Sequence, residues 1–239
     1  MWTTVSEHPS LNPDEVHVWQ TSLVLPSASV ISLRDLLSVD ERARADRFVF
    51  ARDRDQFTIA RARLRQLLAA YLNLAPHELR FDYNPFGKPQ LSVPVLNTLQ
   101  FNVSHSGELA LIAIAQNRRV GVDIEAHKPQ PAFLEIARSV FSAEEYAALE
   151  AVPAPQQGEV FYRIWTHKEA FIKALGEGLS HLLDSFSMTL REDAPPMLKL
   201  LGGDAEAPWT LHTLEVNENY SGALAIEGVV EHVRQYLLT

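Results

Sequence analysis

The sequence predicts an α+β fold. Helical patterns and strand patterns come in blocks, the strands read as largely antiparallel, and both halves of the 239 residues show the same style. No literal repeat accompanies that likeness. The chain is long enough to bury a large core, as one domain or two smaller ones. Two lobes would leave a cleft between them, where ligand sites often lie.

Each element rests on its own pattern. Residues 16–24 (VHVWQTSLV) alternate and read as a strand. Residues 33–48 and 53–72 read as helices, the second with apolar positions at Phe57, Ala60, Leu64, Leu67, Leu68 and Tyr71. Residues 84–89 (NPFGKP) form a loop by their Pro and Gly content. Strands are expected at 99–103, 109–115 and 120–125, the last two paired as a hairpin across Gln116-Asn117-Arg118-Arg119. In the second half, helices cover 132–150 and 159–175. Strands follow near 186–190, 209–216 and 222–226, while Pro153-Ala154-Pro155 and Pro195-Pro196 punctuate loops.

Composition excludes several classes. There is no cysteine, hence no disulfide framework, thiolate nucleophile or Cys-ligated metal site. With 30 acidic and 21 basic side chains the net charge is −9, unlike the basic field of a general nucleic-acid binder. No segment reaches the 18 or so apolar residues of a membrane span. Residues 1–15 are polar, with no basic run before an apolar core, so no signal peptide is read. The expectation is a soluble cytoplasmic protein.

The charge is uneven. Residues 1–119 carry a net +1 and residues 120–239 a net −10, which suggests a division of labour. Residues 33–65 hold nine arginines (34, 42, 44, 47, 52, 54, 61, 63 and 65) among six acids. Solvated helices laced with Arg–carboxylate pairs would account for most of them. The sharper reading is that a few meet a phosphate-bearing ligand.

Three motifs carry chemistry. In Val120-Gly121-Val122-Asp123-Ile124-Glu125, alternation sends Val120, Val122 and Ile124 into a core and Gly121, Asp123 and Glu125 to the other face. The two carboxylates lie about 6.5–7 Å apart along the strand and can converge on one hard cation such as Mg2+. Gly121 would leave room there for a close ligand. A solvated polar strand face explains the same D-x-E pattern. On the helix 159–175, Trp165, Glu169 and Lys173 follow one stripe at i, i+4 and i+8, with Lys168 beside it and Gly176 and Gly178 as stops. An ordinary surface Glu–Lys pair is the plain reading. The functional one adds Glu169 to the carboxylate pair and turns Lys168 and Lys173 toward phosphates. Phe101-Asn102-Val103-Ser104-His105-Ser106-Gly107 ends a strand in groups that can cradle an anion. Ser104 and His105 are neighbours on a strand and face opposite ways, which argues against a hydrolase triad.

In combination these segments are specific. FNVSHSGE, VGVDIE, FSAEE and WTHKEAFIKALGEGL, in this order and spacing, resemble the Sfp-type 4'-phosphopantetheinyl transferases. Gly87-Lys88-Pro89 and the stretch RFVFARD (47–53) are similar too, so the resemblance covers residues 38–190. It implies two similar α+β lobes in a pseudo-dimeric chain with coenzyme A between them. It implies transfer of the 4'-phosphopantetheine arm of coenzyme A to a serine of an apo acyl or peptidyl carrier protein, with release of adenosine 3',5'-bisphosphate. By the same resemblance Asp123, Glu125 and Glu169 are Mg2+ ligands, and Glu169 is also the candidate base. Lys168 and Lys173 face phosphates, Lys173 with a catalytic role. Ser104 and His105 contact coenzyme A phosphates, and Lys88 and Arg44 lie near the adenosine and its 3'-phosphate. Glu41 stands where some relatives are basic. Residues 1–119 would then serve the coenzyme A side and residues 120–239 the metal side. With both lobes in one chain, a monomer is expected. A coenzyme A binding module without turnover, and a metal-dependent phosphodiesterase, are the alternatives from other classes.

Overall fold

The computed structural model describes residues 1–5, 8–92, 99–129, 132–177, 183–189, 196–200 and 208–239. Gly178, Leu190 and Pro195, named above as a helix stop, a strand end and a loop marker, lie outside them. Among the described residues the elements come in two matching runs. A short strand β1 (Thr3–Thr4) precedes the first. That run is β2 (Glu15–Ser22), α1 (Ser27–Arg34), α2 (Val39–Ala45), α3 (Ala51–Leu72), β3 (Phe81–Tyr83), β4 (Pro89–Leu91), β5 (Leu99–Ser106) and β6 (Leu109–Gln116). The second is β7 (Val120–Ala126), α4 (Phe133–Val140), α5 (Ala143–Glu150), α6 (Ala154–Leu175), β8 (Phe186–Thr189), β9 (Met197–Leu200), β10 (Trp209–Asn217) and β11 (Tyr220–Glu227). β12 (His232–Leu238) closes the chain.

The sheets repeat the same arrangement. β2-β6-β5 in one sheet corresponds to β7-β11-β10 in the other, all antiparallel, and β12 and β1 extend the first sheet with parallel pairing. The last strand of the chain therefore returns to the first sheet. Alternation gives both sheets two apolar faces. Val16, Val18, Leu111 and Ala113 of the first sheet pack with Val122, Ile124, Leu224 and Ile226 of the second in one shared core. On the outer face of the first sheet, Trp19, Phe101, Ile112 and Ile114 meet Leu64, Leu67 and Leu68 of α3. On the outer face of the second, Ala223 and Ala225 meet Ala170, Phe171 and Ala174 of α6. The order of layers is helix, sheet, sheet, helix.

Four sequence expectations are corrected here. The helix read over 33–48 is two helices, and so is the one read over 132–150. Both breaks are S-x-x-E capping boxes. The Ser38 N–H donates to Glu41 Oε2 at 2.9 Å, and the Ser142 N–H donates to Glu145 Oε2 at 2.8 Å. Such a box satisfies the free N–H groups of a new helix and so favours a start where periodicity alone runs on. Pro153 and Pro155 do not make a loop. They occupy the N-cap and first turn of α6, where a missing N–H costs nothing. The hairpin expected between β6 and β7 does not form. β6 lies between β2 and β5, while β7 crosses to the second sheet and pairs with β11.

Two buried histidines predict the acid behaviour of the fold. His17 and His167 are both pushed down to about 4, chiefly by burial. The His167 Nδ1–H donates to the Arg163 carbonyl at 2.8 Å, and its Nε2 accepts from the Thr213 hydroxyl at 3.2 Å, a pattern that suits the neutral ring. Because the folded pKa lies below the unfolded value, their stabilisation is complete above pH 6.5 and is lost as pH falls toward 4. Each contributes up to about 3 kcal/mol. NMR titration of the two imidazoles checks this: both should titrate near 4, and a ring that titrates near 6.5 would refute it.

Candidate active site

The site begins with a glycine. On β7, Gly121, Asp123 and Glu125 face α6, as the alternation predicts. The space at Gly121, however, is filled by the helix. A methyl group there would overlap the Ala170 carbonyl oxygen and the Ala174 N–H, and would sit 3.0 Å from Ala174 Cα. The expectation that Gly121 makes room for a ligand is thus replaced. It lets the backbone of α6 lie directly on β7. That approach brings Glu169 and Lys173, half-buried on the helix stripe, over Asp123 and Glu125.

Lys173 Nζ lies 2.6 Å from Asp123 Oδ1 and donates to Ser104 Oγ at 2.8 Å. The Ser104 hydroxyl donates in turn to Asp123 Oδ1 at 2.8 Å. Asp123 is only 2% exposed. Burial raises its pKa, against the Lys173 and Ser104 bonds. Glu125 is also raised, by burial and by the Asp123 charge. Glu169 is pushed up to about 6 by burial, by Asp123 and by Glu125, with Lys173 opposing. The three carboxylates therefore share one electrostatic neighbourhood. Among the described residues no group of three or more His, Cys, Asp or Glu side chains stands in metal-holding geometry. Two buried carboxylate oxygens, Asp123 Oδ2 and Glu169 Oε1, have no hydrogen-bond partner. Unpaired buried carboxylate oxygens are what a hard cation would satisfy.

The second support of the site is a seam between the sheets. β5 and β7 are edge strands of different sheets and form no ladder. Alternate side chains of β5 bridge the gap. Asn102 Oδ1 accepts from the Val122 N–H at 2.9 Å, Ser104 holds Asp123, and the Ser106 hydroxyl donates to Glu125 Oε2 at 2.8 Å. Polar groups at i, i+2 and i+4 on one strand thus meet the same period on the other. Sequence reading missed Asn102 and Ser106, although the matched period in FNVSHS and VGVDIE was a signal for them.

Known proteins resemble this chain along most of its length. The model of the 4'-phosphopantetheinyl transferase superfamily matches residues 119–225, and that of the 4'-phosphopantetheinyl transferase N-terminal region matches residues 25–117. The 4'-phosphopantetheinyl transferase HetI of Nostoc sp. is 36% identical over 229 residues, covering 95% of this chain and 94% of that one. The chain belongs to the 4'-phosphopantetheinyl transferase superfamily. The transferase Sfp of Bacillus subtilis is 35% identical over 79% of this chain and 81% of its own. An L-aminoadipate-semialdehyde dehydrogenase-phosphopantetheinyl transferase of Mus musculus is 30% identical over 84% of this chain and 71% of its own. A solved holo-(acyl-carrier-protein) synthase from Bacillus anthracis, in complex with CoA (3',5'-ADP), overlaps 46% of this chain and 95% of that one, at TM-score 0.40 and 17% identity.

Not every residue that the superfamily resemblance singled out reaches the cleft. Lys168 does not. It is fully buried, and its ammonium donates to both Glu145 oxygens at 2.9 and 2.7 Å and to the Phe186 carbonyl at 2.7 Å. Three donors meet three acceptors, so none remains for a phosphate. The first run shows the same device. Glu41 is buried against Arg61 and Arg65 of α3, which removes two of the nine arginines from ligand duty and explains an acid at that position. Each capping-box glutamate thus ties a short helix to the long one after it. Breaking a buried pair leaves an uncompensated charge. Glu145→Ala is therefore expected to destabilise as much as Lys168→Ala, by about 3–5 kcal/mol, in urea titrations. A Glu145→Ala protein of unchanged stability would refute this.

Lys88 sits at the end of α6. Its ammonium donates to the carbonyls of Val120, Lys173 and Ala174, and the Asn84 side-chain amide donates to the Gly176 carbonyl at 2.7 Å. The loop between β3 and β4 in the first run thereby caps α6 of the second. A cavity of about 310 Å³ opens between them, lined by Phe86, Lys88, Asn102, Glu169 and Lys173 among others. His105 is exposed, and partial desolvation of its ring, with the Lys173 charge second, holds the imidazole below its usual range. Arg44 is exposed, with its guanidinium 5.3 Å from the Phe57 ring centroid.

Proposed function

We propose that this chain transfers the 4'-phosphopantetheine arm of coenzyme A to a serine of an apo carrier protein, releasing adenosine 3',5'-bisphosphate. The observation that carries the reading is that Lys173 bonds the buried Asp123 while Glu169 and Lys173 line an open cleft, with Asp123 and Glu125 near enough to raise Glu169. Residues 1–119 would supply the coenzyme A side and residues 120–239 the carboxylates. Asp123, Glu125 and Glu169 would hold a Mg2+ ion, in keeping with an all-oxygen donor set and two unpartnered oxygens. When bound, the ion neutralises pyrophosphate charge and orients its oxygens.

The chain's own residues supply the rest. The carrier serine Oγ attacks the β-phosphorus, its bond to phosphorus forms, and the bond to the leaving adenosine bisphosphate oxygen breaks. Glu169, with a pKa of about 6, is mostly ionised at neutral pH and takes the serine proton, directly or through a water. Lys173 presents its ammonium to the charge growing on the leaving phosphate. Ser104 and His105 contact the phosphates from the end of β5. Arg44 and Lys88 serve the adenosine side, Lys88 by releasing one of its carbonyls. Among the described residues no helix is long and apolar enough to cross a membrane. A cytoplasmic monomer fits this role.

The test is purified protein with coenzyme A, Mg2+ and a panel of apo carriers. The expected result is a gain of the phosphopantetheine mass on at least one carrier. No gain across carrier classes, with folded protein and intact coenzyme A, would overturn the reading. Release of free phosphopantetheine without any carrier would favour a phosphodiesterase instead.

A further inference from the structure

The geometry points to Ser106 as a positioning residue that fixes the orientation of the Glu125 carboxylate across the junction of the two sheets. This inference rests on the proposed role of the carboxylate cluster. Glu125 stands near the end of β7 and is half-buried, so its strand alone leaves its side chain free to turn. Ser106 removes that freedom. Its hydroxyl donates to Glu125 Oε2 at 2.8 Å and accepts from the Ala126 N–H at 3.1 Å. A hydroxyl has one donor and two acceptor sites, and here the donor is committed to the carboxylate. The acceptor bond to the next residue's backbone locks the hydroxyl in register with β7.

Ser106 can impose this order because it is itself held. It ends β5 just before the tight turn Gly107-Glu108. The Gln56 side chain of α3 donates to the Gly107 carbonyl at 2.8 Å, and the Glu108 N–H donates to the Tyr220 hydroxyl of β11 at 3.1 Å. Gly107 has φ +58°, and a Cβ there would press on Tyr220 and Ala126, so the turn is seated against the second sheet. The serine is thus fixed from α3 on one side and β11 on the other. A group that orients a ligand-binding carboxylate from a rigid element acts on affinity and rate without touching the reacting atoms.

The experiment uses the full chain with Ser106→Ala, Ser106→Thr, Glu125→Gln, Glu125→Ala and the double variant Ser106→Ala/Glu125→Ala. Readouts are Mn2+ affinity by spin-resonance titration, kcat and KM for transfer, and the melting temperature. Ser106→Ala should weaken Mn2+ binding and lower kcat by about 10- to 100-fold, with little change in KM for coenzyme A. Ser106→Thr, which keeps the hydroxyl, should recover most of both. In the Glu125→Ala background, where the hydroxyl has no side-chain partner left to hold, the serine change should add nothing. If Glu125→Gln loses Mn2+ and turnover while Ser106→Ala keeps both, the positioning role is overturned. An equal effect of Ser106→Ala with and without Glu125, or an effect that only tracks melting temperature, overturns it as well. If Glu125→Gln itself binds Mn2+ and turns over normally, the reading of the cluster fails instead.

Discussion

Asp123→Ala is expected to abolish carrier modification, lowering kcat/KM by about 10³-fold or more, while the protein stays folded. The carboxylate is 2% exposed and lies at the centre of the cluster, bonded to Lys173 and Ser104. Its loss removes one proposed cation ligand and the anchor of the lysine proposed to face the leaving phosphate. The fold should tolerate this. The side chain of Lys173 is 30% exposed, so its ammonium can turn to water. Burial also raises the Asp123 pKa, which means the folded protein disfavours this charge. A buried charge held for function commonly costs stability. Mass spectrometry of the carrier and a thermal melt check both parts. Normal transfer by the variant would remove Asp123 from the site, and a collapsed melt would show the residue to be structural.

Gly121→Ala is expected to be nearly as severe for a different reason. The added methyl meets backbone atoms of α6 at Ala170 and Ala174, and backbone cannot swing aside as a side-chain tip can. The helix must step back from β7, at a cost of about 3 kcal/mol. Glu169 and Lys173 move with it. A shift near 1 Å at a reacting centre can cost about 10²-fold in rate, so transfer should fall by at least that factor even where circular dichroism shows folded protein. Urea unfolding and kcat measured below the unfolding transition test the two effects separately. Wild-type rate and stability would mean that the close helix–strand approach is dispensable.

The same contact shows how far sequence reading carries. Alternation in VGVDIE placed Gly121, Asp123 and Glu125 on one face, and helical spacing placed Glu169 and Lys173 on one stripe. Those are local periodicities, and the structure keeps both. The identity of the group opposite Gly121 is a long-range fact, and space for a ligand turned out to be space for a helix. Lys168 failed for a related reason. It is one residue from Glu169, and a step of about 100° on a helix is enough to exchange a cleft for a core. Its partner, Glu145, lies on another helix and has no mark of that role in the sequence. The two helix breaks were legible, since Ser38-x-x-Glu41 and Ser142-x-x-Glu145 are capping boxes. Reading periodicity without caps fused helices that their own residues separate.

By itself the sequence determined the α+β class, the apolar faces of the strands, the family motifs and the candidate carboxylates and lysine, because each depends on residue type and near-neighbour spacing. Only the tertiary structure decided that β7 leaves β6 for the second sheet and that β12 returns to the first. It also decided which basic residues serve as internal ties and that β5 meets β7 through side chains. Those outcomes depend on which surfaces the packed layers bring together, and burial and hydrogen-bond satisfaction are properties of that assembly.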